Sequence, residues 1–89
     1  MGKPAILIVE DEEKIARVLE LELSFEGYVV GKAFNGHDGL MLFREQTWNL
    51  VILDIMLPEM SGVEILRRIR SSDKQTPVIY AYCKKFCRR

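Results

Sequence analysis

Three acidic side chains occupy positions where a parallel β-sheet would bring them together. Glu10 and Asp11 follow the apolar run 5–9, and Asp54 follows the apolar run 50–53. In an open parallel sheet, binding sites form beyond the carboxyl ends of the strands. If these two strands are neighbours, three carboxylates meet at that edge, and a cluster of like charges of this kind usually has a compensating cation. The spacing therefore predicts a cation site there.

The chemistry of such a site would be that of a magnesium-assisted phosphoryl transfer. Ligands that are all oxygen favour a hard divalent ion, and Mg²⁺ suits a site that keeps several waters. Beside Mg²⁺, Asp54 could act as a nucleophile and form an acyl phosphate. The alternative is a local role, since acids after strands often cap helices, and Asp11 could cap a helix that begins at Glu12. Asp54 fits that alternative less well, because it directly follows apolar strand residues.

The strands that would position these acids are predicted by apolar runs. The runs cover 5–9, 50–53 and 77–80, and the apolar residues 28–30 begin a further short strand that ends near Ala33. Short, continuous apolar runs of this kind are typical of strands buried on both faces of a parallel sheet.

Helical periodicity predicts three helices between these strands, and capping residues mark their ends. Gly27 ends the first helix. Ser61 begins the third helix as its N-cap, with Glu64 reaching back to complete a capping box. The predicted helices cover 12–26, a segment from 35 onward, and 61–71, and a turn follows at Ser71, Ser72 and Asp73. The apolar residues of the first helix form a face of Ile15, Val18, Leu19, Leu21 and Phe25. The second helix carries Leu40, Met41 and Phe43, and the third turns Val63, Leu66 and Ile69 inward.

The resulting element order is β-α-β-α-β-α-β. Strands that alternate with helices favour an α/β fold with a parallel sheet and helices on both faces. The chain of 89 residues is long enough for one domain with a modest core. No apolar run approaches the length of about 20 residues that a membrane span needs.

Charge and cysteine divide the chain into a body, 1–82, and a basic tail, 83–89. The 13 basic and 13 acidic residues balance overall, but all four basic residues of the tail stand without a nearby acid, so the body is acidic. Both cysteines, Cys83 and Cys87, lie in the tail, and we interpret them as incidental thiols because a metal site needs more ligands. A body without cysteine indicates a reducing, cytoplasmic compartment.

Four separated motifs in this sequence resemble the receiver domain of bacterial response regulators. The motifs are ILIVEDE at 6–12, AFNG at 33–36, LVILDIMLPEMSGVE at 50–64 and TPVI at 76–79. The loop after Asp54 looks most like receivers of the winged-helix transcription-factor class. The resemblance implies a doubly wound, flavodoxin-like fold with strand order 2-1-3-4. It also implies transfer of a phosphoryl group from a histidine kinase onto an aspartate, with Mg²⁺.

The resemblance assigns expected roles to individual residues. Asp54 matches the phosphoacceptor, and Glu10 and Asp11 match the acidic pair that holds Mg²⁺. Met56 matches the position whose backbone carbonyl is a metal ligand, and Asp54 also contributes to the metal site. Gly62 matches the glycine of the loop before the third helix, and Pro58, a loop proline, has a structural role.

The resemblance ends near Ile79, and the residues after it depart from the family pattern. The hydroxyl residue that family members carry after the fourth strand falls on Tyr82, which is too bulky for that role. The family lysine has no counterpart, and neither does the final helix-strand-helix unit. We interpret the chain as a receiver truncated after the fourth strand, either cut or changed in reading frame. We expect phosphorylation at Asp54 to be weak or absent, because each missing charge-assisted hydrogen bond is worth roughly 1.5–3 kcal/mol.

The sequence leaves other functions open. An uncovered fourth strand favours antiparallel pairing of two copies, so the chain could be a dimerisation module that no longer signals. A phosphohydrolase with an aspartyl nucleophile is disfavoured, because Met56 stands where that class has a second acid. We therefore expect a phosphoacceptor rather than an enzyme. The four basic residues of the tail are too few for us to expect DNA binding by this chain.

Overall fold

Four strands and three helices alternate along the part of the chain that the structure, a computed structural model, describes. The described residues are 2–55, 57, 59–72 and 75–80. The elements are β1 (Ala5–Val9), α1 (Glu13–Phe25), β2 (Val29–Ala33), α2 (Gly36–Glu45), β3 (Leu50–Leu53), α3 (Gly62–Ser72) and β4 (Val78–Tyr80).

The predicted elements are all confirmed, with small differences at their ends. The turn expected at Ser71 and Ser72 is wrong, because both residues belong to the last turn of α3. The hydroxyl of each bonds to a carbonyl of that helix, Ser71 to Arg68 at 2.7 Å and Ser72 to Ile69 at 3.3 Å. The third residue of the expected turn, Asp73, lies outside the described residues.

The sheet has the order β2-β1-β3-β4, and its pairings are all parallel. This order confirms the predicted doubly wound, flavodoxin-like arrangement. β1 lies in the interior of the sheet and its five residues are all buried, which explains why its sequence is apolar on both faces. The last residues of neighbouring strands are in register, since Val9 pairs with both Ala33 and Leu53. The chain therefore leaves β1 and β3 at the same edge.

Alternate residues of the strands belong to two separate hydrophobic cores, one on each face of the sheet. On one face, Ile6 and Ile8 pack with Ala16 of α1. On the other face, the core includes residues of α2 and α3. Its buried members are Ala5, Leu7, Val9, Ala33, Leu40, Phe43, Trp48, Val51, Leu53, Leu57, Ile65 and Ile69. Helices thus cover both faces, as expected for this fold class.

The apolar face predicted for α1 is largely wrong. Val18, Leu21 and Phe25 are exposed, and Phe25 keeps 89% of its surface accessible. Leu19 is partly buried against the sheet, as predicted, and beside it the helix buries Ala16 and partly buries Leu23. Ala16, Leu19 and Leu23 therefore form the side of α1 that packs against the sheet.

The second and third helices also depart from the predicted faces in part. Leu40 and Phe43 of α2 are buried, whereas Met41 is exposed. In α3 the buried residues are Ile65 and Ile69, and Val63 is 48% exposed, so its predicted inward position is wrong. Residues four apart lie above one another on a helix, and this stripe is the one that faces the sheet.

The predicted capping signals form in part. Gly27 has a φ of 101°, a left-handed conformation that ends α1. Ser61 Oγ accepts a hydrogen bond from the Glu64 backbone N–H at 3.2 Å, which is one half of the capping box. The other half is wrong, because the Glu64 carboxylate accepts from Arg67 and Arg68, at 2.7 and 2.9 Å. The hydrogen bond from Arg68 is the main reason that the pKa of Glu64 lies below its usual value.

Candidate functional site

Backbone hydrogen bonds from β1 and β2 hold the two buried acids at the carboxyl edge of the sheet. The Asp54 N–H donates to the Val9 carbonyl, and the Glu10 N–H donates to the Ala33 carbonyl, both at 2.9 Å. The parallel ladder therefore continues by one residue beyond each strand end. Glu10 and Asp54 are each only 1% exposed, so both carboxyl groups lie inside the protein surface.

Glu10, Asp11 and Asp54 come together at this edge. Each offers one carboxylate oxygen, and these oxygens all lie within 4.8 Å of one another. Asp11 is half-buried, while Glu10 Oε1 and Asp54 Oδ2 are fully buried atoms. Three like charges this close in a region of low dielectric repel one another strongly. An all-oxygen donor set of this charge fits a hard cation such as Mg²⁺.

The local alternative for these acids finds little support. α1 begins at Glu13, so the capping position is Glu12, whose side chain makes no capping bond, and Asp11 lies one residue before that position. The carboxylate of Glu10 does have a local contact, because its Oε2 accepts the Glu12 backbone N–H at 3.0 Å. This bond leaves the carboxylate at the site and restricts its rotation, as contacts behind a metal ligand do.

The Glu10–Glu12 contact was absent from the sequence prediction. Its signal is a side-chain acceptor two residues before a backbone N–H, a pattern usually associated with Asp, Asn, Ser and Thr. Because position 10 is a glutamate, the pattern did not predict the bond.

A backbone hydrogen bond joins the residue after Asp54 to the start of α3. The Gly62 N–H donates to the Ile55 carbonyl at 3.1 Å, which joins the first residue of α3 to the residue after Asp54. Met56 and Pro58 lie outside the described residues, so the proposed carbonyl ligand stays a prediction. Tyr82 also lies outside them, as does the tail 83–89 with Cys83 and Cys87.

The comparison with known families decides what kind of domain carries this site. A family model described as the response regulator receiver domain matches residues 6–83. The chain belongs to this family. The resemblance inferred from the four motifs is confirmed, and the match includes Glu10, Asp11 and Asp54.

Curated relatives of this receiver domain are longer proteins. The transcriptional regulatory protein YkoG of Bacillus subtilis (strain 168), whose name carries the label "uncharacterized", is 61% identical over 79 residues, which are 89% of this chain and 35% of YkoG. The transcriptional regulatory protein AfsQ1 of Streptomyces coelicolor is 47% identical over 76 residues, which are 85% of this chain and 33% of AfsQ1. This chain thus spans about a third of the length of these relatives. Their names agree with the transcription-factor class expected from the loop after Asp54.

Solved structures share the fold of this receiver domain. The response regulator TrrA from Thermotoga maritima, crystallised in complex with Mg²⁺-BeF, superposes with a TM-score of 0.87 at 38% identity, covering 96% of this chain and 74% of that one. A crystal structure of the histidine kinase ThkA in complex with TrrA contains a chain that matches with a TM-score of 0.85 at 37% identity, covering 97% and 74%. Among the described residues of this chain, none of the helices has the length and apolar character to span a membrane.

Proposed function

We propose that this receiver domain accepts a phosphoryl group on Asp54 from a histidine kinase, as one step of a cytoplasmic two-component phosphorelay. Glu10, Asp11 and Asp54, with the carbonyl of Met56, hold Mg²⁺. The observation that carries the proposal is the meeting of three carboxylates within 4.8 Å at the carboxyl edge of the sheet. The receiver body is residues 1–82, and its role is that of a phosphoacceptor rather than an enzyme.

The described residues have distinct parts in this reaction. A carboxylate oxygen of Asp54 attacks phosphorus while the bond from phosphorus to the donor histidine nitrogen breaks, which leaves an acyl phosphate and a free imidazole. The bond from the Asp54 N–H to β1 fixes the backbone beneath the nucleophile. The Glu12 N–H keeps the Glu10 carboxylate turned toward the site. When bound, Mg²⁺ neutralises charge on the carboxylates and on the incoming phosphoryl group.

The proposed ligand and partner are supported by what similar proteins bind. TrrA, which shares this fold, has been crystallised with Mg²⁺-BeF, and also with a histidine kinase. The donor set of this chain fits the same metal, since it offers only carboxylate oxygens among the described residues of the cluster.

Labelling of the whole chain by acetyl phosphate tests the proposal. We expect intact-mass spectrometry to show the addition of one phosphoryl group in the presence of Mg²⁺, and none when the divalent metal is removed by EDTA. The extent of labelling also tests the expectation that phosphorylation is weak. Equal labelling with and without divalent metal would contradict a metal-dependent acceptor.

A second candidate function, a dimerisation module, is favoured by the exposure of β4. The strand order places β4 at the edge of the described sheet, and Ile79 in its middle is 53% exposed. An apolar edge strand is a template for pairing with another chain. In this proposal two copies pair their fourth strands antiparallel about a two-fold axis, as a closed dimer requires.

Light scattering on the purified chain tests this pairing. We expect the mass of a dimer for the unsubstituted chain and of a monomer for Ile79→Lys, because a charge on an edge strand opposes strand pairing. Val63→Lys is the matched control, since Val63 is similarly exposed but lies on α3, and it should remain a dimer. If the unsubstituted chain remains a monomer at high protein concentration, the dimerisation proposal is refuted.

A further inference from the structure

We infer that Gly62 is a positioning residue for Asp54, because the absence of a side chain lets α3 begin directly against the backbone that carries the acceptor. An ideal Cβ at position 62 would lie 2.6 Å from Ile55 Cα and 2.8 Å from the Asp54 carbonyl oxygen. Contacts below 3.0 Å force atoms to move. The atoms concerned belong to the backbone, so no side-chain rotation can relieve the contact. The inference rests on the proposed function of Asp54.

Residues 54 and 55 are held from two sides, so they cannot easily move away from a side chain at position 62. On one side the Asp54 N–H is bonded to the Val9 carbonyl of the buried central strand, at 2.9 Å. On the other side the Ile55 carbonyl accepts the Gly62 N–H at 3.1 Å. β1 is closely packed and resists movement, since Val9 is only 1% exposed. A side chain at position 62 must therefore displace the segment 54–55, or lift the start of α3 away from it.

The other tightly packed glycines of the chain have a different surrounding. A Cβ at Gly36 would approach Ile65 Cδ1 at 2.8 Å, and one at Gly39 would approach Val9 Cγ2 at 2.8 Å. A Cβ at Gly31 would meet the ring of Trp48. All of these nearest atoms belong to side chains, whereas those at position 62 belong to the backbone of Asp54 and Ile55.

Backbone conformation does not explain the glycine at position 62. The positive-φ glycine of the described chain is Gly27, so alanine could adopt the backbone angles of Gly62 without strain. Alanine is also a better helix former than glycine, which by itself would favour α3. The expected cost of Gly62→Ala therefore comes from the space that Asp54 and Ile55 occupy.

Displacement of Asp54 should weaken the site more than it weakens the fold. The carboxylate oxygens of Glu10, Asp11 and Asp54 meet within 4.8 Å, and a shift of the Asp54 backbone changes that arrangement. Loss of the contacts that orient metal ligands typically lowers metal affinity on the order of 10- to 100-fold. A misplacement of about 1 Å at a reacting group lowers the rate on the order of 100-fold.

The experiment compares Gly62→Ala with Gly36→Ala and the unsubstituted chain. Mg²⁺ affinity is measured from the amide NMR signals of Asp54 and Ile55 during titration with MgCl₂, and the rate of labelling by acetyl phosphate from intact mass. Thermal unfolding is recorded for each chain. We expect at least a 10-fold loss of Mg²⁺ affinity and about a 100-fold slower labelling for Gly62→Ala, with shifted Asp54 and Ile55 signals. Gly36→Ala should keep the Mg²⁺ affinity and labelling rate of the unsubstituted chain, even if its unfolding temperature falls by as much as that of Gly62→Ala.

Each other outcome is informative. A Gly62→Ala chain that binds Mg²⁺ and takes label like the unsubstituted chain would overturn the positioning role, as would equal losses in both variants. A Gly62→Ala chain that stays unfolded in sucrose, which favours the compact state, while Gly36→Ala folds, would also overturn it, because the glycine would then serve stability. If the unsubstituted chain neither binds Mg²⁺ nor takes label, the proposed function fails. The positioning role is tested separately by the NMR signals, and it is refuted if the Asp54 and Ile55 signals of Gly62→Ala are unshifted.

Discussion

The Asp54→Asn variant is expected to take up no phosphoryl group from acetyl phosphate, whereas the unsubstituted chain takes up one in the presence of Mg²⁺. The amide differs from the carboxylate by few atoms, so it can occupy the same buried position, but it is not a nucleophile for phosphorus. It also removes one of the three negative charges that meet within 4.8 Å, so Mg²⁺ should bind more weakly. Intact-mass spectrometry measures the label directly.

Asp38→Asn is the matched control for this experiment. It makes the same chemical change at an exposed position in the first turn of α2. We expect it to be labelled like the unsubstituted chain. Label on Asp54→Asn at a level similar to that of Asp38→Asn would place the acceptor at another residue and contradict the proposed role of Asp54.

Asp54→Asn should raise the stability of the fold, although it abolishes labelling. Without divalent metal, Asp54→Asn is expected to unfold at a higher temperature than the unsubstituted chain, because it relieves repulsion among three nearby carboxylates. At an effective dielectric constant of about 20, two like charges about 4 Å apart repel by about 4 kcal/mol, which is the upper limit of the gain for each pair. With saturating Mg²⁺ the difference should shrink, since the ion stabilises the unsubstituted chain more. Thermal unfolding with EDTA and with MgCl₂ measures both effects.

Ile65→Ala is expected to cause a large loss of stability. Ile65 is 1% exposed and belongs to the core between the sheet and the helices α2 and α3. Removing a buried isoleucine side chain costs about 2–5 kcal/mol, against a total stability of about 5–15 kcal/mol for a small domain. The unfolding temperature should fall by about 4–8 °C for each kcal/mol lost.

Val63→Ala tests whether the observed face of α3, with Ile65, or the predicted face, with Val63, packs against the sheet. Val63 lies two residues earlier on the same helix and is 48% exposed. Its truncation should change the unfolding free energy by less than about 0.5 kcal/mol, and alanine is the better helix former. Urea unfolding of both variants measures the difference. A loss for Val63→Ala as large as that for Ile65→Ala would mean that α3 turns its predicted face to the sheet.

The strands and their order could be predicted because parallel strands have a strong signal. β1 is buried on both faces, which favours a run such as 5–9 that is apolar throughout, and β3 is buried on one face and partly buried on the other. The four separated motifs then indicated the family, and the family implied the strand order. The helix faces had a weaker signal, because α1 carries more apolar residues than it buries. Val18 and Leu21 lie at helical spacing, yet they are exposed.

The acids of the candidate site were predictable for the same reason as the strands. Glu10 and Asp54 follow strand ends directly, and the register of a parallel sheet carries such residues to one edge. The way in which they are held could not be predicted. The bond from the Glu12 N–H to Glu10 and the contact of Gly62 with the Asp54 backbone depend on the path of the chain through loops.

The sequence by itself determined which residues could form a site: runs of apolar residues specify buried strands, and the acids that come after them must emerge at the carboxyl edge. The tertiary structure decided how closely those acids meet, which face each helix buries, and why position 62 is a glycine. These properties depend on distances between segments far apart in the chain, such as Glu10 and Asp54, and on the path of the loop that brings Gly62 back against Ile55. Such distances result from close packing of the whole core, to which local spacing contributes only in part.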